Sequence, residues 1–73
     1  MKKTITVILE QGSSGWGAYT PDDIGSIIAT GATREETIEQ FRSALKFHLK
    51  VMREEGMPTP EVGGLEIRET VAA

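Results

Sequence analysis

The sequence predicts a single α+β domain over residues 1–73, with one helix packed on a four-stranded mixed sheet in the order β-β-β-α-β. Three observations support this fold class. A chain of 73 residues has room for one domain. Short segments with strand-like alternation lie on both sides of one long helical pattern. A helix between the third and fourth strands is also long enough for a right-handed crossover that makes the last strand parallel to a neighbour.

The first three strands are expected to form an antiparallel meander. From Thr4 to Glu10, alternation of side chains indicates a strand with one buried face. Residues 11–15 are predicted to be a hairpin loop, and residues 16–20 the second strand. Pro21 to Gly25 predict a turn, because proline presets one dihedral angle and glycine tolerates the other. Residues 26–30 then form the third strand.

Thr33 to Glu55 form the long helical pattern. Thr33 and Glu36 predict a capping box, in which the Thr33 hydroxyl accepts from the Glu36 amide and the Glu36 carboxylate accepts from the Thr33 amide. Gly56 can take the left-handed conformation that ends a helix, and the two prolines that follow prevent its return. The residues expected on the buried stripe are Ile38, Phe41, Leu45, Leu49 and Met52, widened by Ala44 and His48.

A fourth short strand follows the helix. Leu65 and Ile67 alternate there with Glu66 and Arg68, which is typical of a half-buried strand. Residues 70–73 are expected to be a frayed end.

Composition limits the classes of function. The sequence contains no cysteine, which excludes disulfides and thiolate metal sites. Lys2 and Lys3 precede a short Thr/Ile/Val alternation rather than an apolar run, so we expect no signal peptide and no membrane span. A cytoplasmic location is the resulting prediction. A domain this small buries only about 60% of its unfolded surface, so we also expect a homodimer or higher homo-oligomer.

The net charge of −3 favours a basic protein partner over direct binding of nucleic acid. Lys46, Lys50 and Arg53 share a helix face, but three glutamates surround them: Glu39, Glu54 and Glu55. We interpret this face as a solvated surface rather than a phosphate-binding stripe.

The segment from Tyr19 to Pro60 closely resembles the N-terminal domain of HicB-like antitoxins, whose pattern is Pro-Asp-x-x-Gly, Gly-x-Thr, a long helix and Gly-x-x-x-Pro. The matching residues are Pro21, Asp22, Gly25, Gly31, Thr33, Glu36, Ala44, Gly56 and Pro60. The resemblance implies a truncated ribonuclease H-like fold, with the fourth strand beside the first and the helix on one sheet face. It also implies an antitoxin that neutralises a small basic HicA-type mRNA-cleaving toxin by covering its active surface. Many HicB proteins carry a further DNA-binding domain; this sequence departs from that pattern, so we expect no direct DNA binding.

Four residues are predicted to bind the partner: Trp16, Tyr19, Asp22 and Asp23. For Trp16, packing and interface anchoring are both open, whereas packing is favoured for Tyr19. Turn chemistry is favoured for Asp22, while Asp23 is freer to meet a basic side chain. We expect the uncovered sheet face to stay partly apolar, with Ile8 and one of the two aromatic rings on it.

The sequence predicts no enzyme activity, no cofactor and no metal. Ribonuclease H-type catalysis needs several carboxylates around paired magnesium ions, and only Glu10 and Glu66 lie on the relevant strands. His48, the one histidine, is assigned to packing at the edge of the helix stripe. The alternative hypothesis is an orphan, degenerate ribonuclease H-like domain with a hydrolase or small-ligand-binding role on the open sheet face.

Overall fold

A computed structural model describes residues 2–21 and 27–70. It contains β1 (Lys3–Gly12), β2 (Gly15–Tyr19), β3 (Ile28–Gly31), α1 (Arg34–Glu54) and β4 (Val62–Thr70). The predicted α+β class and the order β-β-β-α-β are confirmed, with one helix packed on a four-stranded mixed sheet.

The strands lie in the order β3-β2-β1-β4. The pairs β1–β2 and β2–β3 are antiparallel, whereas β1 and β4 are parallel. The predicted meander is therefore confirmed, as is the placement of the fourth strand parallel to the first. A register shift between Lys3 and Thr4 marks an irregularity at the start of the β1–β4 pair.

The β1–β2 hairpin is tighter than predicted. The expected loop over residues 11–15 is wrong, because Gln11 pairs with Trp16 and Gly12 pairs with Gly15, which leaves Ser13 and Ser14 as the turn. Gly15 has φ of 152°, and a Cβ on it would lie 2.7 Å from the Gly31 carbonyl oxygen. A glycine at this position thus permits both the backbone conformation and the close approach of β3.

The fourth strand is longer than the alternation of residues 65–68 predicts. It pairs with β1 from Val62 opposite Lys3 to Thr70 opposite Glu10, so Thr70 belongs to a strand rather than to a frayed end. Gly63 and Gly64 are poor strand formers, but Gly64 pairs with Thr4, and Gly63 is the extra residue at the register shift between the Lys3–Val62 and Thr4–Gly64 pairs. Residues 71–73 lie outside the described part of the chain.

The core lies between α1 and one face of the sheet. Phe41, Ile5 and Leu9 are fully buried, and Leu45 and Leu49 extend the buried stripe of the helix. The other members of the predicted stripe are half-buried: Ile38, Ala44, His48 and Met52. Periodicity missed Thr37, which is fully buried. Its hydroxyl donates to the Thr33 carbonyl oxygen at 2.7 Å, which satisfies the polar group inside the core.

One of the two hydrogen bonds of the predicted capping box is present at the helix start, and the other differs in its donor. The Thr33 hydroxyl accepts from the Glu36 amide at 3.1 Å. The Glu36 carboxylate, however, accepts from the Ala32 amide at 3.3 Å rather than from the Thr33 amide. The carboxylate therefore reaches one residue further back and satisfies a donor just outside the helix.

The helix end confirms the role of Gly56, which has φ of 71°. The Gly56 amide donates to the Arg53 carbonyl at 3.1 Å, and the Met57 amide donates to the Met52 carbonyl at 2.9 Å. This pair of bonds is a Schellman motif, which satisfies carbonyls that the last helical turn leaves free.

Thr33→Ala should lower the free energy of unfolding by about 1 kcal/mol, since the Glu36 amide loses its acceptor. Thr33→Ser keeps the hydroxyl and is the matched control. Chemical denaturation of the three proteins tests the cap, and an unchanged stability in Thr33→Ala would show that it contributes nothing.

Candidate functional site

The two faces of the sheet differ in what covers them. Ile5, Val7 and Leu9 of β1 point toward α1 and are buried. Because side chains alternate along a strand, the intervening residues point to the opposite side, which we call the open face. By strand register, the open face carries Thr4, Thr6, Ile8 and Glu10 of β1, Gly17 and Tyr19 of β2, Ile28 and Thr30 of β3, and Glu66 and Arg68 of β4.

An apolar row crosses three strands of the open face and consists of Ile8, Tyr19 and Ile28. Ile8 is the register partner of Tyr19, and Tyr19 is the register partner of Ile28. Directly opposed side chains on paired strands have Cβ atoms about 5 Å apart, so the row is continuous. Ile28 is 73% exposed and Tyr19 is 39% exposed. The open face thus presents apolar surface to solvent at one end of the sheet.

Charged side chains border this row. Arg68 is the register partner of Ile8 on the β4 side, and its Nε donates to Glu66 Oε1 at 2.9 Å. Both side chains are largely exposed, so their ion pair contributes little to stability. Glu10 is exposed on the same face. The apolar row therefore lies beside polar groups that a partner protein can contact.

The structure separates the two aromatic residues that the sequence assigns to partner binding. Trp16 and Tyr19 are three positions apart on β2, so their side chains point to opposite faces. Trp16 is half-buried and packs against the core, which agrees with its packing interpretation. Tyr19 lies on the open face, although packing is the interpretation that the sequence favours for it. The expectation that Ile8 and one aromatic ring lie on this face is confirmed, and the ring is that of Tyr19.

Sequence reasoning missed Ile28 as a member of the surface. Two adjacent isoleucines lie at the start of β3, and alternation requires them to point in opposite directions: Ile27 is 4% exposed and Ile28 is 73% exposed. The alternation of strand side chains could therefore have shown, from the sequence, that one of the two isoleucines is exposed. Asp22 and Asp23, together with most of the predicted Pro21–Gly25 turn, lie outside the described residues.

The carboxylates considered for metal catalysis do not converge. Glu10 is level with Thr70, whereas Glu66 is level with Thr6, which separates them by about 13 Å along the strands. Over residues 2–21 and 27–70, no group of three or more His, Asp or Glu side chains is placed to hold a metal ion. His48 is half-buried on α1.

Comparisons of the chain with protein families, with curated proteins and with solved structures find no match. The resemblance to HicB-like antitoxins therefore stays a prediction from the sequence pattern. Within the described ranges, no helix combines the length and the apolar character needed to cross a lipid bilayer.

Proposed function

We propose that this chain is an antitoxin-like protein-interaction module that binds and neutralises a small basic HicA-type toxin in the cytoplasm. The observation that carries the proposal is the exposed apolar row of Ile8, Tyr19 and Ile28 on a sheet face that the described helix leaves uncovered. The pattern between Tyr19 and Pro60 supports the family, and a truncated ribonuclease H-like topology is part of the same proposal.

Burial of the apolar row supplies the affinity. Full burial of an isoleucine side chain stabilises a complex by roughly 1.5–3 kcal/mol, and Ile28 has most of its surface available. Tyr19 adds an aromatic ring with a polar hydroxyl, the type of side chain that dominates the energetics of many interfaces.

Charge supplies steering and specificity. The chain carries a net charge of −3, which attracts a basic toxin over distances of about one Debye length, close to 10 Å at 0.1 M salt. Glu10 lies on the open face, and Asp22 and Asp23 are the further acidic contacts that we propose. An antitoxin bound to the basic surface of the toxin would compete there with RNA, so inhibition is steric and electrostatic.

Self-association is also part of the proposal, as a homodimer or higher homo-oligomer. Phe47 is 67% exposed and lies with Ile27, Ile28 and Val51 around a shallow depression next to β3, which is an edge strand. Exposed apolar side chains beside an edge strand favour contact with a second copy.

Ile28→Glu should weaken toxin binding by about thirtyfold, or roughly 2 kcal/mol, because it places a charge at the most exposed position of the apolar row. Met57→Glu is the matched control, since Met57 is 52% exposed and lies after α1, away from the open face. If the open reading frame adjacent to this chain's gene encodes a short basic protein, that protein is the toxin to use. Co-expression, growth rescue and co-elution at low salt measure the interaction.

Separate elution of the two unmodified proteins at low salt would overturn toxin binding. If Ile28→Glu and Met57→Glu weakened toxin binding equally, the open face would not be the interface. Magnesium-dependent cleavage of an RNA–DNA hybrid by the purified chain would favour the alternative hypothesis of a hydrolase.

A further inference from the structure

A groove of about 390 Å³ lies between the second half of α1 and the beginning of β4, on the side of the sheet opposite the open face. The helix makes its close backbone contacts with β3 and β2 and leaves the β4 side of the sheet less covered. At the start of α1, Arg34 forms an ion pair with Glu69 near the end of β4. The helix therefore runs antiparallel to β4. The first turn of α1 contacts the end of β4, and the groove separates the second half of α1 from the beginning of β4.

The groove has an apolar floor and a basic rim. Its floor consists of Leu45, Leu49, Val62 and Leu65. Its rim consists of Arg42, Lys46 and Arg53, all exposed on α1. The described residues around the groove include no carboxylate. This rim is a local concentration of positive charge in a chain whose net charge is −3.

The three cations form a line along the helix. At 100° per residue, positions 42, 46 and 53 fall within about 40° of arc, and they extend over about 16 Å of the helix axis. In the part of the chain that the structure describes, the ion pairs involve Arg34 and Arg68 and none of these three side chains. Glu39 and Glu54 are nearby on the helix but form no described ion pair with these cations, so an anionic ligand could still engage all three.

We propose that this groove binds an extended acidic peptide segment of another protein, with acidic residues alternating with aliphatic ones. Arg42 and Lys46 are about 6 Å apart along the helix axis, close to the 6.6 Å between same-side residues of an extended peptide. With the peptide lying between α1 and β4, the carboxylates on one side of it would meet the rim on α1, and the aliphatic side chains on its other side would cover Val62 and Leu65 of β4.

Charge and composition disfavour three other occupants. A second copy joined symmetrically through β4 would bring two identical cationic rims together. Single-stranded nucleic acid is usually bound by aromatic side chains on which its bases stack, and the residues described around the groove include none. A single fatty acid carries one carboxylate, which engages one of the three rim cations.

The test uses a fluorescein-labelled ten-residue peptide of alternating Glu and Val, with fluorescence anisotropy of the full chain at low salt. We expect saturable binding that weakens with added salt, and binding about tenfold weaker for the peptide with Gln in place of Glu. Protection of the Val62–Leu65 amides from hydrogen exchange should accompany binding of the Glu peptide.

Charge reversal locates the site. Lys46→Glu and Arg53→Glu should each weaken binding by about tenfold, because one rim contact becomes repulsive. Lys50→Glu makes the same change of charge about 6 Å along the helix from Lys46, within a Debye length but outside the groove lining, and should weaken binding by no more than about threefold. Circular dichroism checks that each variant is folded.

Absence of binding to the Glu peptide at millimolar concentration would overturn the proposal. So would equal losses in Lys46→Glu and Lys50→Glu, or stronger binding of a single-stranded RNA decamer than of the peptide. Complete displacement of the peptide by decanoate would reassign the groove to small anionic amphiphiles.

Discussion

Replacement of Gly31 by alanine is expected to lower the free energy of unfolding by about 3 kcal/mol. A Cβ at this position would lie 2.6 Å from Thr37 Oγ1 and 2.9 Å from the Thr37 backbone nitrogen. Both atoms belong to the buried first turns of α1, where the Thr37 hydroxyl is held by its hydrogen bond to the Thr33 carbonyl. The overlap can be relieved only by moving the helix away from β3, which opens the core.

Gly64→Ala is the matched control, because its Cβ would meet no described atom within 4 Å. Its stability should stay within about 0.5 kcal/mol of the native value. Urea denaturation of both variants makes the comparison. If Gly31→Ala were as stable as Gly64→Ala, the close contact between β3 and the start of α1 would be absent in solution.

Phe41→Ala is expected to lower the free energy of unfolding by about 3–5 kcal/mol. The ring is fully buried and lies with Ile5, Leu9 and Leu45 in the core between helix and sheet. The loss combines the transfer free energy of the ring with the cost of the cavity that it leaves. A domain of 73 residues has a total stability of roughly 4–11 kcal/mol, so the variant should lose at least about a quarter of that stability.

The chain provides its own control in Phe47, which lies on the same helix but is 67% exposed. Phe47→Ala should change the unfolding free energy by about 0.5 kcal/mol or less, since most of its ring is already in water. Thermal and urea unfolding of the two variants should therefore differ strongly. Equal destabilisation would contradict the assignment of Phe41 to the core.

Local sequence signals were sufficient for the order of the elements and for the sidedness of the first strand. The alternation in β1 identified Ile5, Val7 and Leu9 as one face, and all three are buried. Glycine and proline signals placed the helix end correctly because a left-handed residue is a local requirement. Strand lengths were less predictable, since the start of β4 depends on the pairing of Val62 with Lys3 and of Gly64 with Thr4.

The candidate surfaces depend on tertiary structure to different degrees. Alternation along β2 shows that Trp16 and Tyr19 point apart, but which of them faces the helix depends on the register with Leu9 and Ile8 of β1. The groove was beyond sequence reasoning, because its helix and strand walls come from segments that only the crossover brings together. Viewed as a helix alone, Lys46 and Arg53 belong to a solvated face.

The parallel pairing of β1 with β4 has a consequence for how the protein acquires its fold during synthesis. The ribosome makes β1 first, but β1 occupies an interior position between β2 and β4. Its sheet partner on one side emerges only after the entire helix has been translated. Pairings between segments so distant in the chain form late, so the nascent polypeptide should gain protease resistance only once residues 62–70 have left the exit tunnel.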